Sequence, residues 1–85
     1  MNNHITGIVT AQAKNNKRTA VLIPHGYAVF DIKNGEIFIS DEVIGPLEGS
    51  GSQDISNLTT GQTVSVDIIA TLVSGKEAVS LLENK

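Results

Sequence analysis

Twenty-five of the 85 residues are β-branched: 10 Ile, 8 Val and 7 Thr. Two heavy atoms on Cβ stiffen χ1 and favour a pleated, half-buried surface, so the chain is committed to strands. Eight glycines and only two prolines point to short strands joined by glycine turns. The reading is an all-β domain of short strands, a single unit over 1–85, with a modest core for its size. The absence of cysteine excludes a disulfide framework, a thiolate zinc site and a cysteine nucleophile.

The pattern along the chain places the strands. Ile5, Gly7, Val9, Ala11 and Ala13 alternate with Thr6, Ile8, Thr10 and Gln12, a period of two with one drier face. A polar turn at Lys14-Asn15-Asn16-Lys17 leads to a second apolar strand, Thr19 to Ile23. Pro24-His25-Gly26 interrupts it, marking an edge, a bend or a bulge. Residues 27–33 and 36–40 flank Asn34-Gly35, the favoured dipeptide of a tight hairpin. With those two residues as the loop, Lys33 faces Glu36, Ile32 faces Ile37 and Phe30 faces Ile39. Ala28, Phe30, Ile32, Ile37 and Ile39 then point inward, and Tyr27, Val29, Asp31, Lys33, Glu36, Phe38 and Ser40 point outward.

After a short extension through Val43-Ile44, residues 45–62 are rich in Gly, Ser and Thr. They read as a long connection with at most one helical turn near Ser56-Asn57-Leu58. Thr63 to Thr71 forms another strand, with Val64, Val66, Ile68 and Ala70 inward. Val73-Ser74-Gly75-Lys76 turns the chain, and Glu77 to Leu82 closes it as a fifth strand.

Three strands, a loop and two further strands are the plan of a five-stranded Greek-key barrel of the OB type. The order of motifs resembles a divergent cold-shock-type OB domain. Ile5-Thr6-Gly7-Ile8-Val9 resembles that family's opening Gly-x-Val strand. His25-Gly26-Tyr27-Ala28-Val29-Phe30 is similar to its first ribonucleoprotein motif, and Glu36-Ile37-Phe38-Ile39-Ser40 to its second. Leu58-Thr59-Thr60-Gly61-Gln62-Thr63-Val64-Ser65-Val66 resembles the run opening the family's fourth strand, and Gly75-Lys76-Glu77-Ala78-Val79 its closing segment. The chain departs from the family where Ile8 and Ala11 replace the first strand's aromatic and basic residues, and where Ser40 and Asp41 replace the end of the second motif. An insertion, roughly Lys14 to Pro24, also separates the first strand from the first motif. The resemblance implies binding of single-stranded RNA or DNA.

Charge divides the chain. Lys14, Lys17, Arg18 and Lys33 against Asp31 leave +3 in residues 1–35, while residues 36–85 carry −6, for a net −3. The basic portion borders the outward hairpin face, where bases could stack on Tyr27 and Phe38 with Val29 in support. Lys14, Lys17, Arg18 and Lys33 would contact phosphates. Few cations in an acidic chain predict weak, salt-sensitive binding. The rival expectation is a protein-interaction or structural module in which the same apolar face docks a partner or dimerises. In the plainest alternative, a loop packs over those rings and makes them a second small core.

No chemistry-bearing constellation stands out, and the expectation is a non-enzymatic module without a cofactor. His4 and His25 are isolated, Asp41 and Glu42 are strand neighbours pointing to opposite faces, and Gly49-Ser50-Gly51-Ser52 lacks the Lys-Ser/Thr of a phosphate loop. No secretory leader is read at Met1-Asn2-Asn3-His4, and no apolar run approaches ~18 residues. A cytoplasmic location is therefore expected. The Asn57-Leu58-Thr59 sequon would matter only in a secreted chain.

Overall fold

The computed structural model describes residues 4–83. Six strands, β1 (Ile5–Gln12), β2 (Arg18–Ile23), β3 (Gly26–Asn34), β4 (Glu42–Gly45), β5 (Gly51–Asn57) and β6 (Gln62–Val73), precede one helix, α1 (Gly75–Glu83). The strands close into an antiparallel barrel in the order β1-β2-β3-β6-β5-β4, with β4 returning to β1. Closure leaves no unpaired edge.

Local chemistry explains the first three strands. In the β1–β2 turn Asn15 Oδ1 accepts the backbone N–H groups of Lys17 (2.9 Å) and Arg18 (3.4 Å), and Asn16 takes a left-handed φ of 60°. Asn tolerates that conformation better than most residues. Pro24 and His25 are the two-residue loop of the next hairpin, because Ile23 already pairs with Gly26. Gly26 has a φ of 146°, and a Cβ there would lie 3.0 Å from the Val73 carbonyl oxygen. Only glycine fits that crossing.

The Asn34-Gly35 hairpin does not form. Asn34 remains in β3 and pairs with Ser65 of β6, and residues 36–40 belong to no strand. A strand has two edges, and those of β3 are taken by β2 and β6. Residues 35–41 instead cross the end of the barrel and drop Ile37 into its core. Ile39, expected inward, is 55% exposed.

Two further expectations are corrected. Residues 45–62 are not one long connection, since they contain β5, paired with β6 along its whole length. Glu77 to Leu82 is not a closing strand but most of α1. The strand count is therefore six rather than five.

The core packs around Phe30, with Val9, Val21, Val43, Ile55 and Val66 fully or almost fully buried. Leu47, from the β4–β5 connection, joins it at one end and Ile37, from the β3–β4 connection, at the other. Gly45 is required by proximity, because a Cβ there would sit 2.6 Å from Ile55 Cγ2. Outside the barrel, α1 packs on β2 and β3 and forms a second cluster. Ala20, Val29 and Ala78 are buried there, with Tyr27, Ala70 and Leu81 packed against them.

Candidate binding surfaces

Strand alternation puts Tyr27 and Val29 on the outer face of β3, as the sequence suggests. The helix then covers that face. Val29 is fully buried, Tyr27 is partly buried, and the start of α1 lies so close that a Cβ on Gly75 would be 3.2 Å from the Tyr27 ring. Ser74 caps α1 just before its first residue: its Oγ accepts the Glu77 N–H (3.2 Å) and its carbonyl accepts the Ala78 N–H (2.9 Å). This is an N-cap of the ordinary kind. The covering element is thus the C-terminal helix rather than a loop.

Of the four cations expected to contact phosphates, Lys14, Lys17 and Arg18 line one groove, and Lys33 lies apart from them. Arg18 donates from Nε to Asp31 Oδ1 (2.8 Å) and from Nη2 to Asp31 Oδ2 (2.9 Å), a bidentate pair across β2 and β3. Its Nη1 also reaches the Leu81 carbonyl at 3.4 Å, tying the last turn of α1 to the barrel. The Arg18 hydrogen bonds hold the Asp31 carboxyl below its ordinary value, against the opposing effect of partial burial. The same bonds raise the Arg18 value. Lys33 donates to Ser52 Oγ on β5, beside Asp54 and Ser65. Lys14 and Lys17 are exposed on the β1–β2 turn, at the rim of an open groove beside α1.

Phe38 does not share a face with Tyr27. It stands on the 35–41 crossing, 51% exposed, next to Ile39; Leu58, on the loop after β5, is 49% exposed. A buried polar network joins these two loops. Asn57 Nδ2 donates to Asp41 Oδ2 (2.8 Å) and to the Glu36 carbonyl (3.4 Å), and Asp41 Oδ2 also accepts the Phe38 N–H (2.9 Å). Asn57 Oδ1 accepts the N–H groups of Thr59 (3.0 Å) and Thr60 (3.3 Å). Gln12 Nε2 adds a bond of 2.6 Å to the Ile37 carbonyl, linking the crossing to β1. Satisfied buried networks of this kind rigidify what they connect. They also explain the sequon: the Asn57 amide is fully buried and engaged, so it offers no acceptor nitrogen in the folded domain.

The exposure of Ile39 on a loop tied to the one carrying Leu58 was not legible from alternation, which sent Ile39 inward. The one available signal was the polar Asn57 at an inward-facing position, which demands a partner when buried. Among the described residues no group of three or more His, Cys, Asp or Glu is placed to hold a metal. Among them, too, no helix is long and apolar enough to cross a membrane. Comparisons with protein families, with curated proteins and with solved structures give no match to this chain.

Proposed function

We propose that the chain is a small non-enzymatic binding module that docks a protein partner through the barrel end carrying Phe38, Ile39 and Leu58. One observation carries the reading: three large apolar side chains, each about half exposed, stand on two loops held by the buried Asp41–Asn57 network. Rigidly held loops on a closed scaffold are where binding residues concentrate. Glu36 and Glu42 are exposed on the flanks of the same segment. The fitting partner is therefore an apolar surface with a basic margin. A photo-crosslinking residue at position 38 should give one defined adduct, lost on Leu58→Asp, while the same residue at the exposed Ile69 on β6 gives none. Equal adducts from both positions would refute the docking surface.

A second reading keeps the resemblance to cold-shock-type OB domains and takes single-stranded nucleic acid as ligand. It is favoured by the position of Phe38 at the same barrel end as the exposed Lys14 and Lys17. In it Phe38 alone stacks, since Tyr27 and Val29 lie under α1, and the two lysines meet phosphates. A short oligonucleotide at low salt should then shift the Phe38, Lys14 and Lys17 amides together, with an affinity that collapses as salt is raised. No response below millimolar oligonucleotide would eliminate this reading.

A further inference from the structure

An open groove of about 910 Å³ runs between the β1–β2 turn and α1. That volume lies within the range of small-ligand sites, ~300–1,000 Å³. Its apolar lining comes from Ala11 and Ala13 on one side and from Val79 and Leu82 on the other. Val79 and Leu82 are three residues apart and share a helix face, and Val79 is 50% exposed although apolar.

The polar groups of the lining are mostly occupied. Gln12 donates to Thr19 Oγ1 and the Ile37 carbonyl, Asn15 Oδ1 accepts two turn N–H groups, and Arg18 and Asp31 hold each other. Lys14 and Lys17 remain, and neither ammonium has an ion-pair partner among the described residues. Besides Asp31, which is paired with Arg18, the lining holds one carboxylate, Glu83. A peptide laid here would bring backbone donors and acceptors that the walls cannot satisfy. A ligand with one anionic head and a plain apolar body makes no such demand.

We infer that this groove binds a single-chain anionic amphiphile, its carboxylate held by Lys14 and Lys17 and its alkyl chain lying on Val79 and Leu82. The inference is independent of the protein-docking surface at Phe38, Ile39 and Leu58, and shares Lys14 and Lys17 with the nucleic-acid reading. Titration of the full chain with decanoate below its micellar range, followed by amide NMR at low salt, tests it. Saturable shifts are expected at Ala11, Ala13, Val79 and Leu82. Affinity should rise roughly two- to fourfold for each methylene added from hexanoate to decanoate. Replacing both lysines (Lys14→Ala with Lys17→Ala) should weaken binding about three- to tenfold, and raised salt should do the same. Glu83→Gln should strengthen it. Val79→Glu, on the exposed helix surface, should abolish binding with the circular dichroism spectrum unchanged.

No shifts at millimolar decanoate would overturn the inference, as would an equal response to decyltrimethylammonium. Tighter saturation of the same amides by a short oligonucleotide would reassign the groove to nucleic acid. A response to anionic vesicles but not to free decanoate would reassign it to a lipid surface.

Discussion

The two faces of β3 are both apolar and both covered, by different means. Ala28, Phe30 and Ile32 face the interior, where six strands close around them. Tyr27 and Val29 face outward, where a nine-residue helix with one fully buried side chain, Ala78, lies across them. A helix of that length is marginal in isolation, so it depends on docking, whereas the interior is held by pairings from every strand. The contrast separates a cooperative core from a locally stable cover. It also shows that an apolar strand face need not be a contact surface, because the chain can supply its own lid.

The largest effect should come from the inside. Phe30→Ala removes the central ring and should destabilise the whole domain by about 3–5 kcal/mol, read as a fall in denaturant midpoint with every probe moving together. Ala78→Glu places a charge between helix and barrel. Because the helix can detach, the loss is limited to its docking, about 1–3 kcal/mol, and should appear as fast hydrogen exchange in α1 with β5 and β6 still protected. Loss of protection throughout would mean that cover and core form one cooperative unit.

Smaller changes sharpen the boundary. Ser74→Ala removes the N-cap and should cost about 1 kcal/mol, seen first in the amides of Glu77 and Ala78. The Arg18–Asp31 pair should contribute less than about 1 kcal/mol, since the Asp31 side chain is about a third exposed and screened by solvent. Its pH dependence has a defined sign. The folded carboxyl lies below its ordinary value of 3.8, so the contribution is complete above that value and fades as pH falls through the lower folded value. Asp31→Asn should flatten the difference in acid stability relative to the parent chain, with no change at neutral pH beyond the loss of the pair.

Much of the barrel is legible in the sequence because β1 and β6 alternate along their length, while β2 and β3 read as apolar runs bounded by turn residues. β5 is not. Its run Ser52-Gln53-Asp54-Ile55-Ser56-Asn57 has one apolar residue and is held by backbone pairing on both sides, with Asn57 buried through its network rather than by hydrophobicity. The helix is hidden by its brevity. Its signals are Ser74 followed by Glu77, and Ala78, Leu81 and Leu82 at helical spacing, in a segment short enough to read as a strand. Asn34-Gly35 misled for the opposite reason, since a strong local turn signal cannot pair a strand whose two edges are already taken.

The site was less legible than the fold. Alternation placed Tyr27 and Val29 on the outer face, but only the helix decides that this face is closed. Phe38 was expected outward and is exposed, though on a crossing loop and apart from the rings it was grouped with. Arg18, grouped with the solvent-facing lysines, is fixed by Asp31 across the sheet, a pairing that depends on the β2–β3 register.

The chain contains one tyrosine and no tryptophan, so its fluorescence reports on Tyr27 alone. Acrylamide quenching of that signal tests directly whether α1 closes the outer face of β3. A quenching constant well below that of a free tyrosine amide, rising in Ala78→Glu while the barrel stays folded, is the predicted result. Quenching in the parent chain already equal to the free amide, and unchanged in the variant, would contradict it.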